Sequence, residues 1–597
     1  MSWGKKNPGE LEVELNELKA AGFNPQLVEN EEGTGPTTVN IQLDVLGTAR
    51  QGKIQYPNLF PWFKPTLIVE GIEEELRHYN PNSGEICLLQ RGTRYWNPGT
   101  TAAAYVTEQL EKWEKVATRK HDEPRLDIED QQAEPISAYF QRPNQRVMID
   151  SSWTVPDELT SGFLDVAFTK QGNTIKFDEP LILWALSVKD HNKKTIITLD
   201  EKLQAHVSRV KDRIISIPWF RIDAPLVEKD LREALNRTCP QALKLIENGL
   251  KNRQRGICAL LFKEESPQGG VRDGWLYIAY YCESVVPTKQ RKKRGKGEPR
   301  PAPSITPRVW RFGSEPAGES DFRERIPELS PLKNKVVAII GLGCVGAPSA
   351  LQFAKAGVGE LRLVDGDFIS PGTTCRWPLG YPVAGWGKVD TLGDFIQQHY
   401  PFTRIGRDHY PPNSDGRMNI GSLDSDYDQR ECLETLLKGA NLVYDATAEE
   451  GINHLLSWLA KEKGIPYVCV SSRPGGWGGD VVRITPKTKG CYVCFLHAQR
   501  QEEEEGKINE PPYDPAGEAL QPNGCGDVTF TAASMDVEEI SLAGVRMAVS
   551  TLCSGEDGAY PEIEYDVGIL TLRENNRLMF PKWEHFPLPK HPLCDNC

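Results

Sequence analysis

From Lys335 onward the chain alternates short apolar runs with amphipathic stretches: KVVAII, a Gly-rich turn, SALQFAKAG, ELRLVD, KVDTLGDFIQQH, ANLVYDA, NHLLSWLAKEKG and IPYVCVSS. Strands that alternate with helices predict a parallel, doubly wound sheet, because parallel neighbours need a crossover and the crossover helices cover both faces. The Gly341-Leu-Gly343-Cys-Val-Gly346 turn falls between the first strand and the first helix, where glycines let a backbone approach phosphates. Asp365 follows about twenty residues later at the next strand end, so a dehydrogenase gripping a ribose hydroxyl is the first reading. Asp367, Arg376 and Lys388 shift the balance. Two cations near the same strand ends suit a triphosphate and its leaving pyrophosphate better than a dinucleotide. Asp445, which ends the strand NLVYDA, is the candidate to help hold Mg²⁺.

With 597 residues, three or four packed units are expected. Hydrophobic residues make up 39% and charged residues 26%, and no apolar run reaches the roughly 20 residues that span a bilayer. The opening MSWGKKNPGELEVELNELKAAG lacks an apolar core and carries leucines at helical spacing, so it reads as a helix and not a signal peptide. A soluble, cytoplasmic protein with no membrane partner is the expectation. The net charge of −13 argues against a general nucleic-acid binder, and the basic stretch from Lys289 to Pro303 reads as a solvated linker.

Fourteen cysteines without an export signal should be reduced, so chemistry or metal must explain the patterned ones. Cys491-Tyr-Val-Cys494 and Cys594-Asp-Asn-Cys597 supply four thiolates in the pattern of a structural Zn²⁺ site. Cys525, in Asn523-Gly-Cys525-Gly-Asp527, precedes the helix-like SMDVEEISLAGVRMAVSTL and is the candidate nucleophile toward an acyl-adenylate. Cys344 and Cys375 are rivals that read more easily as packing residues at the nucleotide site.

Upstream, residues 1–120 form an α+β unit with strands at 38–45, 65–72 and 85–89 and a helix at 101–117. A charged, Pro-containing linker spans 121–140. Residues 141–325 read as a middle α/β scaffolding domain, with one long helical pattern at 228–250; one reading makes it an inactive adenylation-like unit. The doubly wound domain occupies 326–597.

The phrases GLGCVG and AGVGELRLVDGD, with Arg376, Lys388 and the Asp-Ala-Thr at 445–447, resemble the adenylation domain of ubiquitin-activating enzymes and their bacterial ThiF/MoeB-type relatives. The resemblance implies ATP and Mg²⁺, and the same zinc clip occurs in that superfamily. Thr373 stands where the family has Asn, and Ala448 where it has an acidic Mg²⁺ ligand, leaving Glu449 or Asp445 to substitute. Arg323 and Arg325 resemble the family's N-terminal arginines that reach the partner protomer's ATP, which implies a homodimer.

The first unit resembles ubiquitin-conjugating enzymes in YPNLFPWFKPTLIVEG, in the Gly84–Leu88 run and in Trp96-Asn-Pro98. Cys87 falls on the thioester-forming position; alone, it would read as a core thiol. His78, Asn80 and Pro81 are a rearranged form of the family's His-Pro-Asn triplet, with Asn80 the candidate to stabilise an oxyanion. The order of the two resemblances is similar to the fused ubiquitin-transferase-like proteins of bacterial CBASS antiphage operons. It implies activation of a protein C-terminus, that of a cGAS-like nucleotidyltransferase, then thioesters at Cys525 and Cys87 and transfer to an amine acceptor. Activation of a bacterial ubiquitin-like protein, adenylation of a sulfur carrier, and a non-catalytic scaffold are the alternatives.

Overall fold

The computed structural model describes residues 2–28, 35–72, 76–88, 96–119, 134–266, 269–285, 304–410, 416–422, 427–501, 505–517 and 529–597. The chain divides into two compact units, Met1–Asp321 and Phe322–Cys597. No helix among the described residues is long and apolar enough to cross a membrane.

The first unit begins with a six-stranded sheet whose ladders are antiparallel throughout. Thr37–Val45 alternates buried and exposed side chains, the mark of a sheet with one face on a core. That core stacks Trp3 on Tyr56 and sets Phe60, Trp96 and Tyr105 around them. The helix Ala102–Ala117 covers it with Ala102, Tyr105, Val106, Leu110, Trp113 and Ala117, a stripe of period close to 3.6. Its first turn is capped twice: Ala104 N–H donates to Thr101 Oγ1 at 3.3 Å, and Ala102 N–H donates to the buried Glu14 carboxylate at 2.8 Å. The expected opening helix is two helices, Trp3–Lys6 and Pro8–Ala20, because Pro8 has no N–H to continue the first and takes the first position of the second. The strand expected at 85–89 stops at Ile86, so Cys87 lies just beyond the ladder.

The middle of the unit is a second sheet of eight strands. Ser161–Asn173 pairs with both Lys211–Arg221 and Leu181–Asp190, which closes the sheet on itself. Parallel and antiparallel neighbours are mixed, so the reading of this region as an adenylation-like α/β unit is corrected: that fold needs a parallel sheet built by repeated helical crossovers. The helical pattern at 228–250 is likewise two helices, Leu231–Thr238 and Pro240–Lys251, broken at Cys239 by Pro240.

The second unit carries the doubly wound sheet. Its strands lie in the order Arg404–Ile405, Glu360–Val364, Val336–Ile340, Leu442–Asp445, Tyr467–Ser472, Gly478–Ile484, Val567–Glu574 and Arg577–Phe586. The first five are parallel and the last three antiparallel. The central parallel strands are buried on both faces, which is why they read as unbroken apolar runs. The strand order reverses at Val336–Ile340, which sits between Glu360–Val364 and Leu442–Asp445; a crevice opens at such a point.

Candidate functional site

The crevice is a cleft of about 290 Å³ at the C-terminal ends of the three central strands. Gly341, Gly343, Asp365, Gly366, Asp367, Lys388, Asn419, Thr447 and Glu449 contribute to its walls. A hollow of about 700 Å³ lies at the opposite ends of the strands, around Lys438–Asn441 and Lys463–Pro466; it is lined by Glu431, Glu434, Lys438 and Lys463 but lies away from the turn between the first strand and its helix. Chemistry, not volume, marks the smaller one.

The turn needs its glycines. Gly341 has φ +86°, and a Cβ there would meet the Ala446 backbone at 2.8 Å; a Cβ on Gly346 would lie 1.9 Å from the Gly341 carbonyl oxygen. A Cβ on Gly343 would meet nothing within 4 Å, so this position borders open space. Asp365 holds the turn in place: one oxygen accepts the Leu342 N–H at 2.6 Å and the other the Asp367 N–H at 2.8 Å. Lys388, the first residue of the helix Lys388–His399, reaches Asp365 at 3.3 Å and Asp367 at 2.8 Å. Burial opposes its charge, but the two carboxylates outweigh burial and raise its pKa. The cation is thus held charged at the mouth of the glycine turn, where phosphates would sit.

Arg376 is placed beside this turn but is not among the residues of the cleft wall. The neighbouring Trp377 indole donates to the Leu342 carbonyl at 2.9 Å, while the Arg376 guanidinium donates to the Phe530 carbonyl at 2.8 Å and to Thr529 Oγ1 at 3.3 Å. Cys344, in the turn, is half-buried; burial pushes its thiol pKa up, against the pull of Arg376 and Lys388. Cys375 is exposed, with its thiol on the Gly372 carbonyl, so it is no packing residue.

Asp445 does not line the cleft. It is fully buried, and its oxygens accept from Thr447 N–H and Oγ1, Asn453 Nδ2 and Tyr467 OH at 2.8 to 3.1 Å. Burial raises its pKa against those bonds. Its acceptor sites are taken, so the Mg²⁺ role expected of it is corrected to fixing the 446–448 turn. The carboxylates on the cleft wall are Asp365, Asp367 and Glu449. Glu449 also caps the helix Glu450–Lys463 through the Ile452 N–H at 2.7 Å. Ala448 sits in the left-handed region at φ +53°.

The arginines expected to reach a partner protomer separate. Arg323 is buried and donates to the Gly357 carbonyl, whereas Arg325 is exposed.

Cys491, Cys494, Cys594 and Cys597 converge, with all four sulfurs within 4.8 Å of one another. Adjacent sulfurs are 3.3 to 3.9 Å apart. These separations are far beyond a disulfide bond, and tetrahedral Zn–S bonds of about 2.3 Å would set sulfurs about 3.8 Å apart. The His591 N–H points at Cys494 Sγ at 3.3 Å, the kind of outer contact that steadies a thiolate ligand. The donor set therefore fits Zn²⁺.

In the first unit, Cys87 is half-buried and its N–H donates to the His78 carbonyl at 2.8 Å. His78 has φ +56°, and its Nδ1 lies 2.8 Å from Glu134 Oε1; the His78 N–H also bonds that carboxylate. Burial, then the charge of Glu134, pushes the Cys87 thiol up to about 11. Glu134 belongs to the segment that leads into the closed sheet, and its own N–H donates to Glu265 at 2.9 Å. Glu265 in turn forms a buried ion pair with Arg77 at 2.9 Å. Arg311 reaches Asn82 at 3.3 Å, in the turn that leads to Cys87. Asn80, expected to stabilise an oxyanion, turns its side-chain oxygen to the Asn82 and Ser83 N–H groups and so closes that turn. Cys525 lies outside the described residues.

Sequence reasoning missed Glu134, Glu265, Arg311, Asn453 and Tyr467. Glu134, Glu265 and Arg311 act through partners more than fifty positions away, which leaves no local pattern, and Asn453 and Tyr467 meet Asp445 from the following helix and strand. Asn419 had one signal: the glycine in Asp-Gly-Asp, since a Cβ on Gly366 would collide with its side chain.

A sheet with five parallel strands, a glycine turn beside the part-buried Lys388 and a four-thiol cluster accompany a match of the ThiF family to residues 321–539. The chain therefore carries a ThiF-family domain in its second half, and over its whole length it belongs to the family of a relative in Sinorhizobium fredii. The uncharacterized protein y4qC of Sinorhizobium fredii is 30% identical over 606 residues, covering 98% of this chain and 95% of its own. The ATP-dependent ubiquitin transferase-like protein Cap2 of Pseudomonas aeruginosa is 27% identical over 235 residues, 38% of each chain. The adenylyltransferase and sulfurtransferase uba4 of Aspergillus niger is 30% identical over 174 residues, 28% of this chain and 32% of its own.

Proposed function

We propose that this chain activates the C-terminal carboxylate of a protein with ATP and carries the acyl group on Cys525 and then Cys87 to an amine. The observation that carries the reading is Lys388, held charged by Asp365 and Asp367 at the glycine turn of the cleft. The substrate carboxylate attacks the α-phosphorus of ATP, and the bond to pyrophosphate breaks. Lys388 and Arg376 stabilise the charge that builds on the leaving phosphates, and the amides of the turn orient them. Mg²⁺, when bound, neutralises phosphate charge; Asp367 and Glu449 would hold it. The Cys525 thiolate then attacks the acyl carbon and releases AMP. Cys87 takes the acyl group by the same exchange, and an acceptor amine finally displaces Cys87, giving an amide and a thiol. Four thiolates of the 491/494/594/597 cluster would hold Zn²⁺ as a structural clip.

The similarity to Cap2 supports a protein substrate with a ubiquitin-like transfer chemistry, and the chain order fits a cGAS-like nucleotidyltransferase as that substrate in antiphage defence. Two copies acting as a homodimer would let one copy's Cys525 meet the other's Cys87.

The test is ATP–pyrophosphate exchange with a candidate C-terminal peptide, followed by intact-mass analysis under non-reducing conditions. Cys525→Ala should keep exchange and lose both thioesters, and Cys87→Ala should accumulate the Cys525 thioester. Loading of Cys87 in the Cys525→Ala variant would break the proposed order. The similarity to uba4 favours sulfur-carrier adenylation as a second reading, under which exchange occurs but Cys87 is never loaded.

A further inference from the structure

Arg376 is buried, and its guanidinium is committed to the chain. It donates to the Phe530 carbonyl at 2.8 Å and to Thr529 Oγ1 at 3.3 Å, and lies 5.1 Å from the centre of the Phe530 ring. Its backbone cannot drift far from the glycine turn, because Trp377 is tied to the Leu342 carbonyl at 2.9 Å. Cys344 of the same turn feels the charges of both Arg376 and Lys388. Yet Arg376 is absent from the cleft wall that Lys388 helps to form. The side chain therefore has two destinations within reach of one anchored backbone. A guanidinium N–H that serves a carbonyl cannot serve a phosphate oxygen at the same time. The phosphate offers a charged acceptor, and such bonds are roughly twice as strong as neutral ones.

We propose that Thr529 and Phe530 are positioning residues that compete with the nucleotide's phosphates for Arg376. ATP binding moves the guanidinium from the Phe530 carbonyl and ring to a phosphate, and departure of the nucleotide returns it. The inference rests on the assignment of Arg376 to the phosphates made above. By linkage, anything that weakens the hold of Thr529 and Phe530 on Arg376 strengthens nucleotide binding by the same factor. A residue that merely supported the fold would act in the opposite direction, since its loss would loosen the site.

The experiment is calorimetric titration of the full chain with α,β-methylene ATP and Mg²⁺, comparing wild type with Thr529→Val, Phe530→Leu and the pair. Phe530→Leu removes the ring and keeps the carbonyl; Thr529→Val removes the hydroxyl at nearly constant shape. The expected result is about threefold tighter binding for Phe530→Leu, the size of a modest cation–π contact, and further tightening in the pair. In pyrophosphate exchange, KM for ATP should fall with kcat unchanged, because the nucleotide-bound arrangement is the same. The gain should vanish when either change is made on an Arg376→Ala background. If Arg376→Ala weakens binding while neither single variant tightens it, the competition is refuted and the phosphate role of Arg376 stands. If Arg376→Ala leaves affinity unchanged, the phosphate role fails, and the competition fails with it. Thr529 is half-buried, so its variant remains informative should Phe530→Leu fold poorly.

Discussion

Glu265→Ala should strike the first unit at the point where the strands that carry Cys87 meet the closed sheet. Glu265 and Arg77 have side chains 2% and 6% exposed and lie 2.9 Å apart, and Glu265 also accepts the Glu134 N–H at 2.9 Å. Removing the carboxylate deprives a buried guanidinium of a counter-ion, which costs about 3–5 kcal/mol in comparable buried pairs. Unfolding entropy of about 2.1 cal/mol/K per residue gives roughly 0.7 kcal/mol/K for a unit the size of Met1–Asp321, so the midpoint should fall by about 6 °C. The assay is differential scanning calorimetry of the whole chain. The transition of the second unit is recognised by its upward shift with α,β-methylene ATP. The double variant Arg77→Met/Glu265→Leu removes both charges and leaves the Glu134 N–H unmet, at about 1–3 kcal/mol, so it should recover part of the loss. A fall below about 2 °C for Glu265→Ala, or a double variant no better than the single one, would refute this account of the junction.

Three further outcomes are expected. Lys388→Met should lower pyrophosphate exchange by about a hundredfold or more, while circular dichroism stays unchanged. Cys594→Ser should abolish the one zinc per chain expected by elemental analysis and destabilise the second unit; a clip across the 103 residues from Cys491 to Cys594 is worth about 5 kcal/mol by loop closure alone. Zinc-free wild type from metal-replete expression, with an unchanged midpoint, would contradict that reading. Cys87 alkylation, followed by peptide mass spectrometry, should rise about tenfold per pH unit toward a pKa of about 11. Glu134→Gln removes a negative charge that disfavours the thiolate, so the curve should move to lower pH; a shift to higher pH would show the sign to be wrong.

What could be read from the sequence was local. The alternation of apolar runs and helices from Lys335, the Gly341 turn and the paired CxxC motifs each occupy a few neighbouring positions, and each lies in the structure where its pattern placed it. Pro8 and Pro240 were visible helix breaks that a search for apolar period alone passes over. The rest depended on distance. Arg376 meets Phe530 across 154 positions, and Arg77 meets Glu265 across 188. The roles of Asp445 and Asn80 turned on which way a side chain faces, which spacing does not encode. The strand ending at Ile86 shows the same limit: ICLL has strand composition, but the ladder between Thr66–Val69 and Tyr79–Asn80 takes only Glu85 and Ile86.

The closed middle sheet has a consequence for how the chain is made. Val147 pairs on one side with Leu183 and on the other with Ser314. Its second neighbour leaves the ribosome roughly 170 residues later, at common synthesis rates about 8 to 35 seconds. For that interval the ring stands open, with Gln145–Ile149 and, once made, Val271–Val285 unpaired on one side and able to accept a foreign strand. Nascent chains stalled before Ser304 should thus be cut readily by protease near Val147, and chains released beyond Pro316 should not. The pairing that closes the ring also makes it a late and all-or-none achievement of translation.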